Sequence, residues 1–222
     1  ISRGLVGSEM CIRDRGKAMS PVESSGLPGG EAIWGDYDND QRPDLFFFTG
    51  AGGLYRNMGE GKFEQVDFPE LPTVNSRGAV WGDFNQDGRL DLFVGGYEVW
   101  EQRVHPDVIF LNQPDGSFKE VWRSPEGACY SARGVAAADL NEDGKIDVYV
   151  SNYRLQPNHL WLNQGEGKFE ESAESYQAAG IGDGGTINYT GGIQYRVFGH
   201  TIGSALGLSL IHISEPTRPR LI

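Results

Sequence analysis

The sequence predicts an all-β fold, a partial β-propeller with about three four-stranded blades. Two observations lead to this prediction. An acidic loop with carboxylate or amide side chains at its first, third, fifth and ninth positions occurs three times, starting at Asp36, Asp83 and Asp139. Short apolar segments, which are typical of buried strands, flank each loop. The loops recur about every 50 residues, which is the size of one propeller blade, so each repeat is predicted to fold as one small β-sheet.

The first repeat covers residues 29–66. Its strands are predicted at 31–35, 45–49, 54–57 and 62–66. The second of these strands is a continuous apolar run rich in Phe, as expected of a strand that is buried on both faces. A glycine-rich break follows this strand, and a turn at residues 58–61 joins the last two strands.

The second repeat, residues 76–121, and the third repeat, residues 131–171, keep the same order. The strands of the second repeat are predicted at 79–82, 92–95, 108–112 and 117–121. Those of the third repeat are predicted at 134–138, 148–151, 159–163 and 168–171.

Aromatic residues recur once per repeat in the third and the fourth strand. The recurring segments are Tyr55-Arg56-Asn57, Phe110-Leu111-Asn112 and Trp161-Leu162-Asn163, together with Phe63, Phe118 and Phe169. We interpret them as blade packing rather than as a ligand-binding aromatic box, because large aromatic side chains dominate core energetics and occur here once per repeat.

The segment after the third repeat has a different character. Residues 172–199 are glycine-rich and lack the acidic spacing, so we interpret them as an extended connection. Residues 199–207 resemble the opening strand of a fourth repeat.

The two ends of the chain are translations of opposite strands of one DNA string, which resembles a transposase adapter used in sequencing libraries. We therefore interpret residues 1–15 and 208–222 as artefact. The predicted propeller is confined to residues 16–207.

The acidic loops have the chemistry of a site for a hard divalent cation. Ca²⁺ takes about six to eight oxygen ligands, and a short loop supplies them by turning alternate side chains inward. The seventh residue can add its backbone carbonyl. Gly88 and Gly144 at the sixth position permit a sharp turn, whereas the first loop has Gln41 there.

The candidate ligands of the three loops follow from this spacing. In the first loop they are Asp36, Asp38, Asp40, the carbonyl of Arg42, and Asp44. In the second loop they are Asp83, Asn85, Asp87, the carbonyl of Arg89, and Asp91. In the third loop they are Asp139, Asn141, Asp143, the carbonyl of Lys145, and Asp147.

Other calcium loops fit this pattern less well. EF-hands and dockerins need a carboxylate at the twelfth loop position and a helix around the loop. Phe47, Val94 and Val150 stand at that position here, and strand-like apolar runs follow. Thrombospondin-type calcium repeats carry cysteines and lack intervening strands, so they fit poorly as well.

Taken together, these features make residues 31–171 similar to the FG-GAP and VCBS repeat family, the calcium-loop β-propellers that include the integrin α-subunit head. The resemblance implies that the loop residues named above bind Ca²⁺. The repeats are also similar to those of bacterial proteins that carry an ASPIC/UnbV domain. Gln41 departs from the glycine of the family pattern.

Composition limits the possible partners. The formal net charge is −12, much of it in the acidic loops, and this charge disfavours a nucleic-acid partner. No apolar run reaches the roughly 18 residues of a transmembrane helix, so no such segment is predicted. Cys129 is the only cysteine outside the two end segments, and one thiol predicts neither a disulfide framework nor a zinc site.

The leading functional hypothesis is a secreted, periplasmic or surface-exposed calcium-binding propeller for adhesion, with a protein or glycan ligand. Extracellular calcium modules bind at about 10⁻⁴ to 10⁻³ M, so such loops would fill outside the cell and stay largely empty in a cytosol. No enzyme is predicted, because the histidines show no catalytic arrangement and His105 and His159 are expected to be solvated. The alternatives are the propeller part of a polysaccharide lyase or hydrolase, and a purely structural spacer.

Overall fold

The computed structural model describes residues 27–50, 52–72, 76–97, 105–153 and 156–180, and the backbone of two further strands at 186–188 and 194–196. The first blade consists of β1 (Ala32–Gly35), β2 (Asp44–Phe47), β3 (Gly53–Gly59) and β4 (Lys62–Val66). The second blade consists of β5 (Ala79–Gly82), β6 (Asp91–Val94), β7 (Val108–Asn112) and β8 (Phe118–Arg123). The third blade consists of β9 (Ala132–Ala138), β10 (Asp147–Asn152), β11 (His159–Gly165) and β12 (Lys168–Glu171).

Each blade is a four-stranded antiparallel sheet in which neighbours in sequence are neighbours in space. The acidic loop connects the first strand of each blade to the second. The last paired residues before the loops are Gly35, Gly82 and Ala138, and their partners are Asp44, Asp91 and Asp147. The ninth loop residue is therefore the first residue of the second strand.

The chain is thus all-β, with three four-stranded sheets that form the blades of a partial β-propeller, as predicted. All twelve predicted strands are present. Those at 62–66, 79–82, 108–112 and 168–171 have the predicted bounds. The others differ at their ends, and the second strands begin at the loop aspartate itself.

The first and second blades pack through a cluster of aromatic rings. Phe46 of the first blade and Phe110 of the second are fully buried. Phe68, in the connection between the two blades, lies with its ring centroid 5.1 Å from each of them and 5.0 Å from that of Phe118. Burying a large apolar side chain contributes about 1.5–3 kcal/mol, so this cluster is a main source of cohesion between the blades.

The second and third blades meet in a similar layer. Phe93 and Ile109 of the second blade pack against Val148 of the third, and all three are fully buried. Trp122 lies with its ring centroid 4.9 Å from that of Trp161, in an edge-to-face arrangement. The recurring aromatic residues Phe110 and Trp161 of the third strands therefore pack between blades, whereas Tyr55 packs within its own blade.

The segment after β12 folds back over the outer face of the third blade. Ala173 and Ala178 are buried there, and the Tyr149 hydroxyl donates a hydrogen bond of 3.2 Å to the carbonyl of Ala178. Farther along, β13 (Thr186–Asn188) pairs with β14 (Gln194–Arg196) inside the region predicted as an extended connection. Residues 1–15, 199–207 and 208–222 lie outside the described residues.

Within the described ranges, no helix is long and apolar enough to cross a membrane. The one helical element with described bounds is a single 3₁₀ turn at Glu126–Ala128.

Candidate metal centre

The first aspartate of each loop organises the loop backbone. Asp36 accepts hydrogen bonds from the backbone N–H groups of Asp40 (3.0 Å) and Gln41 (2.9 Å). Asp83 and Asp139 accept the equivalent bonds from the fifth and sixth residues of their own loops. An aspartate suits this position because its short side chain reaches backbone donors a few residues ahead. The three loops therefore fold alike.

Two residues in each loop have left-handed backbone conformations. At the sixth position the φ values are 70° for Gln41, 85° for Gly88 and 86° for Gly144. At the fourth position they are 57° for Asn39, 62° for Gln86 and 61° for Glu142. The sixth position was foreseen from its glycines, and Gln41 follows the same path. The fourth position was not foreseen, because only Asn39 is a residue type that favours this conformation.

The first loop gathers three carboxylates. Oxygen atoms of Asp36, Asp38 and Asp40 lie within 4.8 Å of one another, and no other group of this kind is found in the part of the chain that the structure describes. The second and third loops have an amide at the third position. There Asn85 and Asn141 donate to the fifth-position aspartates, over 2.7 Å to Asp87 and 3.2 Å to Asp143.

Arginines partly neutralise the first cluster. Arg56 Nε lies 2.6 Å from Asp38 Oδ2, and Arg56 Nη2 lies 3.4 Å from Asp40 Oδ2. Arg42 also pairs with Asp40. Partial desolvation raises the pKa of Asp40, but the hydrogen bond from the Arg42 backbone and the charges of both arginines outweigh it, so the pKa lies below its ordinary value.

Arg56 contacts the carboxylate cluster, a contact that the sequence prediction missed. It stands in the third strand where the other blades have Leu111 and Leu162. The signal was present, since only the first loop has a third-position carboxylate, Asp38, and only the first blade has a cation in this place.

The ninth-position aspartates are buried and tie each loop to the third strand. Asp44, Asp91 and Asp147 are fully buried. In the second blade, the two oxygens of Asp91 accept the backbone N–H groups of Phe84 (2.9 Å) and Asn112 (2.9 Å). Burial raises the pKa of Asp44 and Asp147, and it raises that of Asp91 to about 6.

The structure does not place these three aspartates in a group with the other loop carboxylates among the described residues. Their oxygens already accept backbone hydrogen bonds, and each retains a further lone pair. A ligand role for the ninth position therefore stays a prediction, and its observed role is to fix the loop to its sheet.

The seventh residues were predicted to contribute carbonyl ligands, and that prediction also stands untested. Their side chains have a role of their own. Arg89 pairs with Asp87, and Lys145 Nζ lies 2.7 Å from Asp143 Oδ2. Arg89 Nε also donates to the carbonyl of Asn112 over 2.9 Å, which links the loop to the third strand.

The recurring asparagine of the third strand is a second feature whose role was missed. Asn112 Nδ2 donates to the carbonyl of Tyr37 in the loop of the preceding blade (2.8 Å), and Asn163 Nδ2 donates to that of Phe84 (2.8 Å). Both asparagines are buried. The sequence showed that this residue recurs, but the acceptor is some 75 residues away in the chain (Asn112 to Tyr37) and is set only by blade packing.

His159 was expected to be solvated, and this expectation is wrong. Its side chain is 4% exposed, its ring stacks on Tyr130 at 4.7 Å, and its Nδ1 lies 3.7 Å from Asp107 Oδ2. Trp161 Nε1 donates to the same oxygen over 3.0 Å. The strand that carries His159 is central in its blade, so the packing of two blades encloses it.

The donor set of the loops suits a hard cation. Every side-chain candidate offers an oxygen, and oxygen ligands without imidazole or thiolate are typical of Ca²⁺ and Mg²⁺ sites. The cluster of Asp36, Asp38 and Asp40 could therefore hold a metal ion. Cys129, partly buried and with its pKa raised by burial, lies outside the loops and has no part in them.

Comparisons with known proteins agree with this architecture. A family model described as FG-GAP-like repeat matches residues 36–94 and 99–150. Cartilage acidic protein 1 of Xenopus tropicalis is 37% identical over 59 residues, which are 26% of this chain and 9% of that protein.

Among solved structures, a lectin of Agrocybe aegerita that recognises non-reducing terminal N-acetylglucosamine matches at 21% identity with a TM-score of 0.42. The match covers 63% of this chain and 37% of the lectin chain. This chain thus spans well under two thirds of both proteins.

Proposed function

The chain belongs to the FG-GAP-like repeat family, and on this premise we propose that it is part of a calcium-binding β-propeller that acts as an adhesion or ligand-binding module. The observation that carries this proposal is the gathering of Asp36, Asp38 and Asp40 in a loop whose backbone path recurs in all three blades.

Calcium is the ion that best suits these loops. Ca²⁺ accepts flexible geometry and many oxygen ligands, whereas Mg²⁺ demands a tight octahedral shell and dehydrates reluctantly. When bound, the ion would supply positive charge and hold the loop residues in one arrangement. The residues that would hold it are the predicted loop ligands, with Asp36, Asp38 and Asp40 at the centre of the first site.

We further propose that the protein acts outside the cytosol, in the extracellular space, the periplasm or on the cell surface. Loops of modest affinity fill only where free Ca²⁺ is plentiful. The proposed partner is a protein or a glycan, and no nucleic acid is expected because the chain carries a net charge of −12.

A binding module is favoured over an enzyme. A hydrolytic or lyase site would need an acid–base pair that reaches a substrate. His159 and Asp107 come close to each other, but both are buried, and the loop carboxylates are engaged in backbone contacts. A purely structural spacer is the third reading, and ligand-binding assays on the whole protein separate it from the other two.

The test is thermal unfolding of the protein in millimolar Ca²⁺ and in excess chelator. A ligand that binds only the native state stabilises it and raises the melting temperature. At a one- to tenfold excess of Ca²⁺ over Kd, the stabilisation is about 0.4–1.4 kcal/mol for each site. We expect a higher melting temperature with Ca²⁺ than with chelator, and a smaller rise with Mg²⁺.

The matched control is a variant with Asp40→Ala, Asp87→Ala and Asp143→Ala together, which should lose the response to Ca²⁺. Identical melting curves of the unsubstituted protein in Ca²⁺ and in chelator would contradict the proposal.

A further inference from the structure

Arg56 on β3 places a cation inside the carboxylate cluster of the first loop. Its Nε lies 2.6 Å from Asp38 Oδ2, and its Nη2 lies 3.4 Å from Asp40 Oδ2. The two atoms that are 2.6 Å apart are both inaccessible to solvent. Water and salt therefore screen this ion pair less than an exposed pair. One guanidinium thus contacts two of the three carboxylates that could hold a metal ion.

The backbone holds Arg56 beside the loop. The N–H of the next residue, Asn57, donates to Asp44 Oδ1 over 2.8 Å. The third strands of the other two blades are bonded to their own loops by the same contact between a backbone N–H and the ninth-position aspartate. Leu111 and Leu162 therefore occupy the place of Arg56 in those blades, and the difference between the blades lies in the side chain.

Arg56 cancels an additional negative charge of the first loop. Four of the side-chain ligand positions are acidic in the first loop, and three are acidic in each of the others. Asp38 is the extra carboxylate, because Asn85 and Asn141 stand at the third position of the second and third loops. All three loops have one basic residue at the seventh position. Once Arg56 is counted, the first loop attracts a cation no more strongly by net charge than the other two.

Arg56 and a bound ion would compete for the same carboxylates. Ca²⁺ needs several oxygen ligands turned towards it, and a positive charge held nearby repels it. Filling the first loop therefore requires Arg56 to give up part of its contact with Asp38 and Asp40. When no ion is bound, the same contact offsets the repulsion among the clustered carboxylates.

We infer that Arg56 is a built-in counter-cation that weakens Ca²⁺ binding at the first loop and stabilises this loop when the ion is absent. The inference rests on the proposed calcium-binding function, and it names a residue that regulates one of the proposed sites. The first loop depends less on Ca²⁺ for its stability than it would with a leucine in this place.

The first test is calorimetric Ca²⁺ titration of the full chain in which Asp87→Ala and Asp143→Ala disable the second and third loops. Arg56→Leu gives the first blade the residue of the other blades and should tighten Ca²⁺ binding at least about threefold. Arg56→Lys keeps the positive charge, so it should bind Ca²⁺ more weakly than Arg56→Leu.

Asp38→Asn in the same background tests the partner of Arg56. It leaves the arginine charge without its closest carboxylate, so Ca²⁺ binding should weaken at least about tenfold. Combining Asp38→Asn with Arg56→Leu gives the first loop the charge pattern of the other two. The double variant should therefore recover most of the affinity of the unsubstituted loop.

Thermal unfolding of the chain with all three loops intact gives a second readout. Arg56→Leu should lower the melting temperature more in excess chelator than in saturating Ca²⁺, because the carboxylates then lack both cations only in the chelator. The difference in melting temperature between the two conditions should therefore increase.

Arg123→Leu is the matched control, because it removes one positive charge at a distance from the loop. Arg123 is exposed and paired with Glu120. It lies opposite Val108, at the end of β7 away from Asn112, the residue that bonds to the second loop. Neither the Ca²⁺ affinity of the first loop nor the melting difference should change.

The inference is overturned if Arg56→Leu binds Ca²⁺ no more tightly than the unsubstituted loop, if Arg56→Lys or Arg123→Leu tightens binding equally, or if the double variant is as weak as Asp38→Asn. A first loop that takes up Ca²⁺ only after Arg56→Leu supports the inference. Where the inference fails, Ca²⁺ binding by the second and third loops of the intact chain would leave the proposed function standing. Absence of any Ca²⁺ response in the intact chain would instead count against the proposed function itself.

Discussion

At the sixth position of the first acidic loop, Gln41 has a φ of 70°, in the region that favours glycine. Gly88 and Gly144 occupy the same position in the other loops and have open space where a Cβ would lie. The penalty at Gln41 therefore comes from the backbone conformation and not from a clash. A non-glycine residue in this conformation costs about 1–2 kcal/mol.

Gln41→Gly is expected to tighten Ca²⁺ binding at the first loop, by up to about tenfold for a gain of 1.4 kcal/mol. The physical reason is that glycine removes the strain of the folded loop while the Gln41 N–H bond to Asp36 is a backbone bond and is kept. The measurement is a Ca²⁺ titration of a protein whose other two loops are disabled.

Asn39→Gly is the matched control, because Asn39 has a similar φ of 57° but is a residue type that tolerates it. Its effect should be smaller. Unchanged or weaker binding in Gln41→Gly would mean that loop strain does not limit the affinity of this site.

The sequence was informative at the residue scale wherever a residue acts through its own loop. The left-handed turn at Gly88 and Gln41 was predicted correctly, because a turn depends on contacts within a few positions along the chain. Arg56, Asn163 and His159 were misjudged or missed because their partners belong to other strands or other blades. The position of such partners depends on blade packing, which spacing alone does not encode.

At the scale of elements, the third strand of one blade is connected to the acidic loop of the blade before it. Asn163 Nδ2 donates to the carbonyls of Phe84 and of Ile146, over 2.8 Å and 3.1 Å. Asn57 Nδ2 instead donates to the carbonyl of Pro43 in its own loop, over 2.9 Å. The two asparagines therefore occupy the same position in the repeat, but only Asn163 bonds to the preceding blade.

Asn163→Ala is expected to lower the free energy of unfolding by about 1–3 kcal/mol, because it leaves a buried carbonyl without a donor. Asn57→Ala should cost less, about 1 kcal/mol or below, since its bond is exposed. Urea denaturation in Ca²⁺ measures both. Equal losses would show that the link between blades contributes nothing beyond the local bond.

The three loops are also expected to bind their ions separately. Asp87→Ala or Asp143→Ala should each remove one ion, because the first, third and fifth side chains of a site come from a single loop. Equilibrium dialysis at saturating Ca²⁺ counts the ions.

Gln86 Nε2 of the second loop donates to the carbonyl of Gly144 in the third loop over 2.6 Å. Coupling between these two sites would therefore appear as a changed Ca²⁺ affinity of the third loop when the second loop is altered. Loss of every ion from either single substitution would contradict independent sites.

At the scale of the whole molecule, the first and second blades carry a tryptophan at the same position of their first strands. Trp81 of the second blade packs against Phe46 of the first, with ring centroids 6.1 Å apart. Trp34 holds the equivalent position in the first blade and is 61% exposed. The tryptophan at this position is thus packed against a neighbouring blade in the second blade and exposed to solvent in the first.

Trp81→Ala is expected to destabilise the protein by about 3 kcal/mol, the low end for a tryptophan in a packed layer, since Trp81 is only partly buried. Trp34→Ala should change stability by no more than about 0.5 kcal/mol, as is usual for an exposed site. Urea denaturation of the two variants decides the comparison. An equally large loss from Trp34→Ala would show that its face is covered in solution.

The fold class and strand order were predictable because the same pattern of strands and loops occurs three times. A strand that is ambiguous in one repeat can therefore be assigned from the equivalent strand of another. The return of residues 172–180 over the third blade was not predictable in this way. Tyr149 and Ala178 meet there through one hydrogen bond and a small apolar contact, and no repeated pattern marks them.

The bonds from Asn112 to Tyr37 and from Asn163 to Phe84 always run from a later blade to the loop of an earlier one. This arrangement gives the array a polarity. Each bond reaches a carbonyl that the earlier loop holds in place, so the shape of one loop fixes where the third strand of the next blade docks. Because nearest-neighbour contacts govern the stability of repeat arrays, a substitution that reshapes one loop is expected to weaken the contact with the blade that follows it.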